Sequence, residues 1–196
     1  MAINRLIQGS LQSGLPKFDT LWDGRSAVGS MEPITGITLT GTQSSVQFNN
    51  IPSTYSHLQI RSIVRDTGGS YGYNVSLTFN SDSTSSYSRN NLEGNGSSVS
   101  ASGSSSAETS IPVAMTTGGT NLTNNFAVFV LDILDYANTN KNTTCRCLLG
   151  YDDNGSGYVN LRSGCYLKTD AITTIRFAST GTAFAANSSF TLYGIK

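Results

Sequence analysis

SHLQIRSIVRDT (residues 56–67) alternates between two kinds of side chain from one residue to the next. One face would carry Leu58, Ile60, Ser62 and Val64, and the other would carry Gln59, Arg61, Ile63 and Arg65. A period of two is typical of a β-strand with one face on a core and the other in a wetter layer. Turn-forming clusters precede and follow it, at residues 52–54 and 66–69. We therefore predict a central strand here.

Further strand-like runs continue from Ile34 to the end of the sequence, without a convincing amphipathic helix longer than two turns. We predict nine or ten strands, with one hairpin joining 34–40 to 45–48 and another joining the central strand to 73–79. The run FAVFVLDILDY (126–136) has apolar residues on both faces at its start, which predicts a strand buried in the middle of a sandwich. The remaining runs are 111–115, 144–151, 158–167, 172–179 and 189–196.

Such strands are buried most economically by two antiparallel sheets packed face to face. The predicted fold is therefore an all-β antiparallel sandwich, jelly-roll-like, in residues 34–196; an up-and-down barrel is the alternative. Residues 80–110 interrupt the pattern, since 13 of these 31 positions are Ser. We interpret them as a long Ser-rich surface excursion with room for one short strand.

The composition narrows the classes of function. The chain has 196 residues, no formal net charge and only 12% charged residues, against about a quarter in an average soluble domain. Without a basic excess to neutralise phosphates, we expect no nucleic-acid partner. No apolar run approaches the roughly 20 residues of a spanning helix, and polar residues interrupt the N-terminus, so neither a membrane partner nor a signal peptide is expected. Of the three cysteines, Cys145 and Cys147 would share a strand face, and buried packing is favoured over a shared metal.

Residues 1–33 differ from the rest, because their apolar side chains are spread among glycines with neither strand nor helix period, apart from a possible helical turn at 19–22. Two interpretations stay open: a strap on its own domain, or an arm that orders on a neighbouring subunit or particle wall. The second makes this segment a particle-anchoring arm and predicts oligomerisation, with a trimer as one arrangement. Its anchoring residues would be Leu6, Ile7, Leu11, Leu15, Phe18, Leu21 and Trp22.

Few residues in the sequence are candidates for catalysis. The single histidine, His57, stands at the start of the central strand, where it can bond a loop carbonyl, and no motif supports a catalytic role. Asp132 and Asp135 would lie on opposite faces of their strand, so they make no carboxylate pair. We therefore predict no enzyme and no cofactor. The loop DDNGSG (152–157) offers Asp152, Asp153 and Asn154 as a weak candidate metal site, but a tight hairpin turn explains the same residues.

Tyrosines near loops give a second candidate site, because aromatic rings beside Ser, Asn and Gly can stack on and bond a sugar. The alternative is a ring that caps the core and leaves its hydroxyl in water. The possible glycan-binding residues are Tyr71, Tyr73, Tyr87, Tyr151 and Tyr158.

Three segments resemble known sequences: FNNIPSTYSHLQIRSIVRD (48–66), DILDYANTNKNTT (132–144) and SSFTLYGIK (188–196). Together they are similar to β-rich virion proteins and fibre-tip domains of short-tailed bacteriophages from marine and freshwater bacteria. The resemblance spans about residues 45–196 and carries no catalytic motif.

This resemblance implies a virion structural protein, assembled in the host cytoplasm and exposed on the head or tail. The sequence shows no long fibrous shaft, and this favours a head-decorating or cement protein, or a small tail appendage, bound to capsid or tail proteins by residues 1–33. The alternative is a host-attachment module of the tail that binds a surface glycan.

Overall fold

The computed structural model describes residues 30–70 and 72–196, and twelve β-strands lie within them. None of the described residues belongs to a helix that is long and apolar enough to cross a membrane. The strands are β1 (Met31–Thr38), β2 (Ser45–Phe48), β3 (His57–Val64), β4 (Asn74–Phe79), β5 (Tyr87–Gly94), β6 (Val99–Glu108), β7 (Ile111–Met115), β8 (Ala127–Leu134), β9 (Thr143–Asp152), β10 (Gly157–Tyr166), β11 (Ile175–Ser179) and β12 (Ser189–Ile195).

Eight of these strands form a jelly roll. One sheet contains β1, β12, β3 and β8 side by side in that order, and the other contains β2, β11, β4 and β7. Counted within this set, the strand orders are 1-8-3-6 and 2-7-4-5, the arrangement of two interlocked Greek keys. The sheets do not close into a barrel, so the predicted antiparallel jelly-roll sandwich is confirmed.

The remaining strands are two hairpins inserted into the jelly roll. The β5–β6 hairpin lies between β4 and β7 in the sequence, and the β9–β10 hairpin lies between β8 and β11. Both join the first sheet beyond β8, which extends it to eight strands in the order β1-β12-β3-β8-β9-β10-β5-β6. The second sheet keeps its four strands, so the layers differ in width.

The core lies between the two sheets. On β3 the predicted inner residues Leu58, Ile60, Ser62 and Val64 are buried, and β3 has a strand on each side, as the alternation predicts. Aromatic rings fill the centre, where Phe177 stacks on Phe190 at 5.5 Å between centroids. A second aromatic group closes the β5 end, with Tyr87 stacked on Tyr166 at 5.1 Å.

Three sequence predictions are corrected. β1 and β2 belong to different sheets, as do β3 and β4, so neither predicted hairpin exists; in a jelly roll these neighbours along the chain cross between layers. Residues 80–110 contain two long strands instead of at most one. β8 buries only one face, since Val128, Val130 and Leu134 on the other face are 52%, 38% and 43% exposed.

The predicted arm falls almost wholly outside the described residues, which begin at Ser30, and the helical turn at 19–22 lies outside them too. The anchoring residues Leu6 to Trp22 likewise lie outside. Every buried hydrophobic residue of the sandwich core belongs to the stretch from Leu39 onward.

Candidate functional site

The outer face of the eight-stranded sheet carries a group of exposed apolar side chains. Val159 is 65% exposed and Leu148 is 58% exposed, although both lie within long strands. An exposed apolar patch of this kind marks an interaction site more often than chance. We call this group the platform; it consists of Ile63, Leu92, Val99, Val128, Val130, Leu148, Val159 and Leu161.

The strand register places the platform residues in two adjacent rows that run across the sheet. The first row crosses Ile63, Val128, Gly150, Val159, Gly94 and Val99. The second row crosses Val130, Leu148, Leu161, Leu92 and Ala101. With neighbouring strands about 4.8 Å apart, the first row extends over about 24 Å. The platform is therefore continuous from β3 to β6.

Shallow depressions mark the platform surface. One of about 680 Å³ lies among Leu92, Ala101, Leu161 and Arg146. Another of about 300 Å³ lies among Val128, Val130, Leu148 and Val159. Gly94 and Gly150 carry no side chain in the first row, and both line a third depression of about 430 Å³. The surface can thus accept protruding apolar side chains from a partner.

A polar row borders the platform on one side. The Asp132 carboxylate accepts hydrogen bonds from Gln59 Nε2 at 2.8 Å and from Arg146 Nε at 3.1 Å. Arg61, which pairs with Val130 at the β3 end of the second platform row, donates its Nε to Gln59 Oε1 at 2.9 Å. Charges that are paired within the chain need no partner from outside, so this row resembles the polar rim of a protein interface.

A fourth depression, of about 270 Å³ and lined mainly by polar residues, lies at the rim of the sandwich, beside the β9–β10 turn. Tyr151 and Tyr158 lie there with 5.9 Å between ring centroids, and Asn95, Asn121 and Asp153 contribute polar atoms. The structure thus brings together two of the five tyrosines predicted for glycan binding, but Tyr151 is a correction, because it is only 8% exposed and belongs to the core. Tyr158 is partly exposed.

The other three tyrosines are placed elsewhere. Tyr71 lies outside the described residues, and Tyr73 packs against the glycines at 68 and 181. Tyr87 is a correction: it is fully buried, its hydroxyl donates to the Asp82 carbonyl at 2.9 Å, and burial raises its pKa to about 12. A ring enclosed by the core cannot stack on a sugar.

The candidate metal residues form a turn. Asn154 and Gly155 both have positive φ, 60° and 88°, as a type I′ hairpin turn requires. The Asp153 carboxylate accepts hydrogen bonds from the Leu122 amide and from Asn121 Nδ2, both at 2.8 Å. The Leu122 amide, with help from Asn121, lowers the pKa of Asp153. The Asp153 carboxylate oxygens therefore bind the loop before β8 and are not free to coordinate a metal. No group of three metal-ligating side chains occurs among the described residues.

The remaining reactive side chains also have structural partners. His57 Nδ1 accepts a hydrogen bond from the Asp135 amide at 3.0 Å, where the sequence suggested a bond to a carbonyl. Lys141 forms an ion pair with the Asp135 carboxylate, and this bond is the main cause of the lowered pKa of Asp135. Cys145 and Cys147 are buried in the core as predicted, and burial raises the pKa of the Cys145 thiol to about 12. A protonated, enclosed thiol is a poor nucleophile and metal ligand.

The platform itself was not predicted, although a signal for it exists. In LL (148–149) and FVLDIL (129–134) apolar residues occupy both parities, which means that both strand faces are apolar. This pattern predicts two covering layers. In the structure one layer is the four-stranded sheet, and the described residues supply none for the other face.

Comparison with family models, with curated proteins and with solved structures finds no match to the chain.

Proposed function

We propose that the protein is a bacteriophage virion structural protein that binds a neighbouring virion protein through the platform. The observation that carries the proposal is the platform itself, two apolar rows across the outer face of the widened sheet. Burying this face on a partner would remove exposed apolar area from water, the main driving force of protein association. The sequence resemblance adds the context of a particle, as a head decoration or a small tail appendage.

The two inserted hairpins supply most of the platform, which suggests that they serve binding. A jelly roll needs only its two four-stranded sheets, and the insertions add Leu92, Val99, Leu148, Val159 and Leu161 to one outer face. Function commonly resides in such additions to a widespread fold. The described residues offer no comparable group of catalytic side chains, and the proposed role needs none.

A matched pair of substitutions on β9 tests the proposal. Leu148→Lys places a charge in the platform, and Thr144→Lys places the same charge on the same exposed face outside it. We expect L148K to lower the number of copies per purified particle at least about tenfold, because a charge must be desolvated in an apolar contact. T144K should incorporate like wild type.

Copies per particle are counted by quantitative mass spectrometry, and immunogold labelling then distinguishes heads from tails. Incorporation of L148K at the wild-type level would refute the platform as the contact. Absence of the wild-type chain from particles would refute the virion role.

A second function, glycan binding by a tail module, is favoured by the polar rim depression with Tyr151 and Tyr158. The Tyr158 ring is partly exposed there beside amides and a carboxylate, a combination that suits a sugar, whereas Tyr151 is only 8% exposed and packs against Tyr158. The test is adsorption of the purified chain to host cells. Tyr158→Ala should abolish adsorption, and Tyr193→Ala, on distant β12, should leave it unchanged. Adsorption that Y158A does not alter would exclude this site.

A further inference from the structure

The outer edge of β6 is long and unprotected. β6 pairs with β5 on one side and ends the sheet on the other, where no strand of the described chain pairs with it. From Val99 to Ala107 it has no charged residue and no proline. Natural sheet edges are usually shortened, charged or interrupted by proline, because free N–H and C=O groups recruit other strands.

The other three edges of the two sheets show these protections. β1 contains Glu32 and Pro33, β7 contains Pro112, and β2 is only 4 residues long. β6, at 10 residues, is the exception. It also buries little of itself, since residues 99–103 are all exposed. No residue of β6 belongs to the hydrophobic core of the described chain.

We propose that β6 pairs with β6 of a second copy of this chain, antiparallel and about a twofold axis. Every side chain from residue 99 to 105 is Ser, Ala, Gly or Val, so two such edges can approach without collision. The edge is uncharged and the whole chain has no formal net charge, so like surfaces meet without repulsion. Self-complementary pairing about a twofold axis also closes the assembly at two copies.

The register follows from the regular part of the strand. β6 pairs evenly with β5 from Val99 to Ser104, and the register shifts before Glu108. Centring the twofold axis on Ser102 places Ser102 opposite its own copy and Ala101 opposite Gly103. Val99 and Ala101 keep to the platform side in both copies, because the axis is perpendicular to the sheet. The pair would present one sheet of sixteen strands, twice the eight of one chain, and a platform of double width.

Disulfide trapping in the full-length chain tests this register. Residues opposite one another in antiparallel strands have Cα atoms about 4.5–5.5 Å apart, within the range that a disulfide spans. Ser102→Cys should therefore give a covalent dimer on mild oxidation. Ser97→Cys, in the exposed β5–β6 turn, is the control and should remain monomeric on a non-reducing gel. Trapping of S102C no better than S97C would overturn the proposed register.

Sedimentation velocity of the full-length wild type and of Ser102→Lys tests the pairing itself. Two lysines would face each other across the axis, so we expect S102K to have about half the mass of wild type at equal concentration. A wild type that stays monomeric at all concentrations, or an S102K whose mass is unchanged, would overturn the proposal. Circular dichroism is the control for folding, and S102K should give the wild-type spectrum. Both measurements use the isolated chain. They can therefore refute the β6 dimer without refuting the proposed contact with a virion protein.

Discussion

At the residue scale, Leu148 and Leu149 are neighbours in sequence with opposite surroundings. Leu148 is 58% exposed on the platform, and Leu149 is 2% exposed in the core. We expect Leu149→Ala to lower the free energy of unfolding by about 2–5 kcal/mol, because it leaves a cavity. Leu148→Ala should change it by no more than about 0.5 kcal/mol. Urea denaturation of both variants measures this contrast, and equal losses would show that the platform is covered in the free chain.

Asp82 makes the stability depend on pH. Its side chain is 8% exposed and lies 2.6 Å from Lys168 Nζ. Burial raises the pKa of Asp82, but the bonds from Lys168 and Thr84 outweigh burial and lower it well below its ordinary value. A carboxyl with a lowered folded-state pKa stabilises the fold above its unfolded-state pKa, about 3.9, and this contribution is lost as the pH falls through the folded value.

Asp82→Asn should therefore lower the melting temperature at neutral pH, and the difference from wild type should shrink as the pH falls below about 4. Calorimetry across this range measures it. Asp170→Asn removes an exposed carboxylate of the same region and serves as the control. A D82N difference that is constant down to the lowest pH would contradict the role given to the Asp82 carboxylate.

At the scale of the element, the backbone conformation of the β9–β10 turn contributes to the stability of the inserted hairpin. Gly155 has φ of 88°, a region that costs a residue with a Cβ about 1–2 kcal/mol, and an added Cβ there meets nothing within 4 Å. Gly155→Ala should thus lower the free energy of unfolding by about 1 kcal/mol through the backbone alone. Gly41→Ala is the control, because that position has equal space without the strained φ. Equal effects of the two would contradict the type I′ turn.

The strands themselves were largely predictable, and their partners were not. Alternation in residues 56–67 identified β3 and its inner face, and DDNGSG identified the β9–β10 turn, because both signals are local. The crossings of β1 to β2 and of β3 to β4 between sheets depend on contacts between residues far apart in sequence. The Ser-rich strand β6 lacks apolar alternation, since it buries almost nothing, and so it gave no strand signal. Of the platform residues, Val128 and Val130 were predicted to lie in a strand buried in the middle of the sandwich, because apolar residues on both strand faces indicate two covering layers without showing what supplies them.

At the scale of the whole molecule, the predicted arm and the sandwich are separable in their expected roles. All buried core residues of the sandwich lie at Leu39 or beyond. Deleting residues 1–29 should therefore leave a folded domain with a cooperative thermal transition. If those residues anchor the protein to a particle, the same deletion should abolish incorporation. A deleted chain that incorporates normally would contradict the anchoring role and leave the platform as the sole contact.

The central claim is that the platform is buried against another protein in the assembled particle. Hydroxyl-radical footprinting, read by mass spectrometry, compares the free chain with purified particles at single side chains. Leu149 should be protected in both states, and Leu122, which is 55% exposed in the loop before β8 and is not a platform residue, serves as the exposed reference. We predict that Leu148 and Leu161 react in the free chain and become protected in particles by at least about fivefold relative to Leu122. If Leu148 and Leu161 remain as reactive in particles as in the free chain, the platform is not the interface.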